Sequence, residues 1–331
     1  MAVLYAFCVA IYIAAIPLPR ADGQLTGSDG AFYYAYLPAL ILDRDLDFAD
    51  EYARLLPQNL AHRLTPHLMN DFAKSYTIGC AILWSPFFLA GHCLALCFAA
   101  AGRRVALDGI GYIYQIPVLL GSMTYGYAGI LIIYRSCRRF TRKPNSAAAA
   151  ILIWLATNAI YYMVAEPSMS HACSLFAVAL FLELWLASRP MPTSRQWILL
   201  GLAGGLIALV RPQDATWLAL PMVDGLSDLR IHYRAKLSRY LKGLSLFSVA
   251  AAIAFLPQVA LWRALHGAGD RIVHLVTGWA FHWLAPEVLS LLFSLQHGLF
   301  LWHPVLLFAA GGFALLYRKN RVVSCLLGMG F

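Results

Sequence analysis

Charge is scarce in this chain, and negative charge is largely confined to one place. Of 331 residues, 12% are charged and 61% hydrophobic, with a mean hydropathy of +0.66. A soluble globular chain carries about 25% charged residues. The deficit excludes a water-solvated surface over most of the chain. Apolar–polar alternation over about ten residues is missing too, which excludes a transmembrane β-barrel. The seven cysteines (Cys8, Cys80, Cys93, Cys97, Cys137, Cys173 and Cys325) form no Cys-x-x-Cys pair. Most sit in apolar runs and read as small buried hydrophobes, not as a disulfide or zinc framework. Cys93 and Cys97 share a helix face with only His92 nearby, so no metal site is expected there. Met1–Pro17 has neither a basic n-region nor a clear Ala-x-Ala site, so it is expected to be a retained first span. No internal repeat, low-complexity segment or soluble domain is visible.

What remains is a series of continuous apolar runs of bilayer length, with interspersed Gly, Trp and Tyr. The expected fold class is all-α, a polytopic transmembrane helical bundle forming a single domain over residues 1–331. Spans are expected at Ala2–Leu18, Tyr112–Tyr134, Ala147–Val164, Ala172–Ala187, Leu244–Trp262 and Leu299–Tyr317. The formal net charge of +9 is not a nucleic-acid signature. Fifteen of the twenty-five bases fall in four short loops: Arg135–Lys143, Arg189–Arg195, Arg230–Lys242 and Arg318–Arg321. Positive-inside bias makes those loops, and the N-terminus, cytoplasmic.

That sidedness constrains two further runs. Ile78–Ala101 cannot be a simple crossing, and is expected as an interfacial or re-entrant helix pair broken near Pro86 and Gly91. Trp197–Val223 must cross twice or not at all, as two short helices meeting at Arg211-Pro212-Gln213-Asp214. The chain ends after Val322–Phe331, too short to cross, which suggests a C-terminal truncation.

Eight of the sixteen acids lie between Asp22 and Asp71, inside the loop 19–107 that this topology makes external. There Asp29-Gly30 precedes an aromatic run, Phe32, Tyr33, Tyr34 and Tyr36, suited to a helix in the headgroup layer. Asp29 either caps that helix or serves as an outward-facing reactive carboxylate. Glu166 stands at the outer end of a span, where a charge needs a partner or a wet cavity. His171 follows it closely. Arg211 and Asp214 interrupt an apolar pair of helices, either as a local salt bridge or with Arg211 free to bind phosphate. Lys74 and His297 are further polar residues at span boundaries, and Asp108 and Tyr112 weaker ones of the same kind.

The order of these motifs resembles the GT-C glycosyltransferase superfamily. Within it, the closest likeness is to bacterial relatives of the protein O-mannosyltransferases and lipid A aminoarabinose transferases. The likeness rests on Asp29-Gly30 with Tyr33-Tyr34-Ala35-Tyr36, Ala73-Lys74 before Ile78-Gly79, Glu166 to His171, Leu209 to Asp214, and His297-Gly298-Leu299-Phe300. It implies a multi-pass inner-membrane enzyme that moves a sugar, with inversion, from a polyprenyl-phosphate donor to a lipid, glycan or protein hydroxyl on the outer face. Asp29 and Glu166 would be the catalytic carboxylates. Lys74, Arg211, His171, His297 and Asp214 would bind substrate. Ala73 stands where the aminoarabinose transferases carry Glu, so the resemblance names no metal ligand, although a divalent metal stays compatible with the chemistry. The alternatives are a lipid-sugar flippase or transporter, an inactive remnant of the same family, and a non-catalytic scaffold.

Overall fold

A computed structural model describes residues 1–16, 25–27, 29–56, 76–189, 191–229, 233–266, 287–296 and 298–328. Among these the secondary structure is helical throughout. Helix α1 covers Ala2–Ala15, and α2, Asp29–Pro38, continues into a π turn at Ala39–Asp43. Helices α3 (Ala49–Leu55), α4 (Gly79–Ala100) and α5 (Tyr112–Cys137) follow. Next come α6 (Lys143–Leu155) and α7 (Asn158–Ile160), the latter running into a π turn at Tyr161–Ala165. Then come α8 (His171–Ser188), α9 (Ser194–Val210), a 3-10 turn at Pro212–Leu218 and α10 (Ala219–Leu229). The chain closes with α11 (Tyr233–His266), α12 (Val288–Phe293), α13 (Leu299–Trp302), α14 (Val305–Lys319) and α15 (Arg321–Gly328).

Four helices are long and apolar enough to cross a bilayer: α4, α5, α8 and the Leu237–Leu265 part of α11, with mean hydropathies of 1.6 to 2.0. The α6–α7 pair makes a fifth if its 63° bend is counted as one span. Their outer faces carry exposed Ile82, Leu89, Leu94, Phe98, Val249, Ile253 and Leu256. Water would not tolerate such surfaces in contiguous bands, whereas lipid does. A multi-pass membrane protein is the fold these helices describe.

Three expectations change. Ile78–Ala101 is one continuous helix, not a broken pair. Pro86 cannot donate to the Ile82 carbonyl, and the Ser85 hydroxyl takes that acceptor at 2.8 Å. Although α4 is long enough to cross, it packs beside the half of α5 remote from Arg135–Lys143. Phe87 meets Gly121 and Tyr125, while Gly91 and His92 meet Ile113 and Tyr114. The expected span Ala147–Val164 bends where Thr157 caps α7, its hydroxyl oxygen accepting from the Ala159 amide and its O–H donating to the Ile153 carbonyl. The expected span Leu299–Tyr317 breaks at His303, whose φ of −129° leaves the helical region, because Pro304 disfavours helix for the residue before it.

The aromatic residues of α2 face protein. Phe32, Tyr34 and Tyr36 are buried against other parts of the chain. The Tyr34 hydroxyl donates to the Gly109 carbonyl at 2.7 Å and Tyr36 to the Tyr76 carbonyl at 2.9 Å. Phe32 stacks on Tyr76, and Tyr36 and Tyr52 pack with Phe48. Rings with a polar tip can be buried fully once that tip finds a partner.

The body is polarised along α8. At its C-terminal end, buried Glu183 accepts from Ser136 and Arg139 and pairs with Arg135, while Arg189 pairs with Asp224. Lys319 donates to the Phe140 carbonyl at the same end. Since α9 starts here and α10 returns Asp224 here, Ser194–Leu229 runs out and back, as the charge pattern required. The other end of α8, an eighteen-residue helix about 27 Å long, is where the polar residues of interest meet.

Candidate functional site

Four chain segments converge at the His171 end of α8. The first is the N-terminus of α2. Gly30 lies so close to Ser168 that any Cβ would overlap the serine side chain, so Asp29 is brought against the Glu166–His171 turn. The second is the approach to α4. Gly79 sits on the backbone of Leu209 and Val210 with no room for a Cβ. Beside it the Thr77 hydroxyl donates to the Val210 carbonyl at 3.0 Å, and the Ile78 amide to the buried Gln258 side chain at 2.8 Å. The third is the break after α9 that carries Arg211 and Asp214. The fourth is the turn leading into α8.

Asp29 does not cap its helix with any side-chain bond described here; its carboxylate accepts from the Tyr76 hydroxyl at 2.8 Å. Tyr33, one turn on, lies against the Ser170 hydroxyl with Asp29 and Arg211 both within electrostatic reach. Burial raises both phenols above their usual range, and for Tyr76 the bond to Asp29 adds to the effect. At neutral pH both remain neutral donors beside the carboxylate.

Arg211 donates to His171 Nδ1 at 2.8 Å. A guanidinium has no acceptor, so Nδ1 carries no proton, and His171 is the neutral Nε2–H tautomer. The Tyr162 ring stacks on the imidazole with centroids 3.7 Å apart. Asp214 takes a short hydrogen bond from Ser174. Of the two alternatives for Arg211 and Asp214, the salt bridge does not form: the two side chains point to different partners, joined by the Asp214 amide donating to the Arg211 carbonyl. Among the described residues no carboxylate pairs with Arg211. Asp29, Tyr33, Tyr76, His171 and Arg211 are all partly exposed, as a site open to a ligand requires.

Ser168 supplies a further polar group. Its hydroxyl is buried beside Gly30 with no hydrogen-bond partner among the described residues. Glu166 opens the same turn, half-buried, and its charge acts on Tyr161. Lys74 and His297 lie outside the described residues. Asp108, another candidate, instead pairs with Arg54 at 2.8 Å, and neighbouring Tyr112 is exposed.

Tyr76 and Ser174 belong to this network and were not singled out in the sequence, whereas Tyr33 and Ser170 stood there only as members of the aromatic run and of the Glu166–His171 segment. Ser174 stands three residues after His171, on the same helix face, which is the one local signal for it. The residues gathered here can do two things chemically. Asp29 can accept a proton from a bound hydroxyl, and Arg211 can bind an anion with the guanidinium donors that His171 leaves free. Comparison of the chain with protein-family models, with curated proteins and with solved structures gives no match.

Proposed function

We propose that the chain is an integral-membrane glycosyltransferase of the GT-C type, using a polyprenyl-phosphate-linked sugar and a hydroxyl acceptor. The observation that carries this reading is Arg211: a partly exposed cation with no carboxylate partner among the described residues, oriented by a neutral histidine and close to Tyr33 and Asp29. An unpaired guanidinium held in place is suited to a phosphate, which it meets with two parallel hydrogen bonds.

In this reading the phosphate of the donor rests on Arg211. The acceptor oxygen attacks the anomeric carbon from the opposite face. As that C–O bond forms, the bond from carbon to phosphate oxygen breaks, and the phosphate leaves with the electron pair. The acceptor's proton passes to Asp29, whose orientation Tyr76 holds. Lys74 and Glu166 are assigned to the same surface by the resemblance alone. Positive-inside bias gives the Glu183–Arg189 end of the molecule to the cytoplasm and the site to the outer face of a bacterial inner membrane.

The test is transfer of radiolabelled sugar from its lipid carrier in membranes. Asp29→Asn should lower the rate about 10²–10⁴-fold, the usual contribution of a positioned base. Transfer at the wild-type rate in that variant removes Asp29 from the mechanism. The break at Arg211-Pro212 is also a device of transporters. Carrier lipid that crosses the bilayer without losing its sugar would favour the flippase reading.

A further inference from the structure

We propose that Asp43, Asp50 and Glu51 form a binding site for a calcium ion that clamps α3 to the turn ending α2. The site is separate from Asp29 and Arg211, and it does not depend on the transferase reading.

One carboxylate oxygen from each of the three residues lies within 4.8 Å of the other two. Donors that close can all reach one ion at calcium's oxygen distances of about 2.3–2.6 Å. Magnesium keeps several waters and usually takes only one or two carboxylates, so a three-carboxylate set held by the chain suits calcium better. The donors are all carboxylate oxygens, the hard set that calcium takes and that zinc and copper sites rarely use.

Proximity of acids alone would mean little on a surface. The second observation is Glu51. Its residue is only 2% exposed, and neither carboxylate oxygen has a hydrogen-bond donor among the described residues. A buried carboxylate needs a donor or a cation, and the groups its oxygens approach are two more acids. Other acids in the same run are accounted for differently. Asp45 accepts from the Asp47 amide, and Asp47 from the Ala49 amide at the start of α3. The base on α3, Arg54, pairs with Asp108. Asp43 and Asp50 are exposed, which leaves one side of the cluster open for the waters that complete a calcium shell.

Backbone geometry serves the same end. Arg44 adopts φ of 59°, the left-handed region uncommon for a residue with a side chain. That residue turns the chain back after the π turn, so that Asp43 comes to face the first turn of α3.

The experiment uses the full chain in detergent or nanodiscs. Terbium luminescence, sensitised by the neighbouring Tyr52, and its displacement by Ca²⁺ report occupancy. Wild type should bind terbium, release it to Ca²⁺ at up to about 1 mM, and melt at a higher temperature with Ca²⁺. Asp43→Asn and Asp50→Asn, both at exposed positions, should each weaken Ca²⁺ at least about tenfold. Glu51→Gln should abolish the Ca²⁺-dependent shift. Unchanged affinity in the Asp43→Asn/Asp50→Asn double variant, or no shift in wild type at about ten times the ~1 mM bound, overturns the site. Tighter binding of Mg²⁺ than of Ca²⁺ overturns the choice of ion.

Discussion

Arg211 and His171 set the residue-scale logic, because each fixes the state of the other. Arg211 can only donate, so it holds His171 as an acceptor at Nδ1, and His171 in turn aims the guanidinium. His171→Ala should therefore act through Arg211. On the transferase reading, KM for the lipid-linked donor should rise about tenfold, on the scale of one lost charged hydrogen bond. His171→Asn, whose amide oxygen can reach toward the Nδ1 position, should recover part of that loss. Equal KM in the wild type and the alanine variant would show that His171 does not orient Arg211. A sign-definite pH effect belongs to Glu51. Its folded-state value of about 8 exceeds the ordinary 4.5, so between those limits the folded chain binds more protons than the unfolded one. Stability without Ca²⁺ should then be greatest below pH 4.5 as regards this group, and should fall as pH rises toward 8. Denaturant titrations should lose that slope in Glu51→Gln. Arg211 and Asp214 were legible in the sequence as polar interruptions of an apolar run, and Asp29 and His171 as polar residues at motif positions that the resemblance picks out. Their partners were not, because Tyr76 and Ser174 are ordinary residues until folding sets them beside a charge.

At the scale of elements, hydropathy located α5, α8 and the core of α11 because each is a sustained apolar run, and α5 and α11 continue through their internal prolines, Pro117 and Pro257. It failed where one side chain redirects the backbone. Thr157 bends the α6–α7 pair and Pro304 ends α13, and neither alters the mean apolarity of its run. The opposite error occurred at Pro86, where proline suggested a break and Ser85 repaired the carbonyl it orphaned. Ser85→Ala should thus destabilise the chain by about 1 kcal/mol, the net worth of a typical hydrogen bond. Pro86→Ala should restore the backbone bond and make Ser85 dispensable. Melting temperatures of the two single variants and the double variant form a cycle, and simple additivity between them would count against the repair. The glycines at Gly30 and Gly79 could not have been assigned from the sequence either. Gly79 lets the start of α4 rest on the backbone at the end of α9, and Gly30 leaves room for the Ser168 side chain, so that Asp29 and the end of α9 share one site.

For the molecule as a whole, α8 serves as a ruler between two chemically opposite ends. Glu183, Arg135, Arg139, Arg189 and Lys319 gather at one end, while His171, Arg211 and Asp29 gather at the other. The charge distribution made this polarity legible before any fold was in hand, since short basic loops alternate with base-poor ones. What the charges could not give was the course of α4, which lies along the site half of α5 instead of reaching the basic end. The polarity predicts where labels should enter. In a cysteine-free background, Gln213→Cys lies at the exposed break beside Arg211, and Arg195→Cys at the exposed start of α9. These two positions lie near opposite ends of a single helix of seventeen residues, α9, whose length is about 25 Å. A membrane-impermeant maleimide added to intact cells should modify position 213 and spare position 195 until the membrane is permeabilised. The reverse pattern would put the site on the cytoplasmic face, where a lipid-linked donor flipped outward would be out of reach of Arg211, and it would sink the transferase reading together with the sidedness.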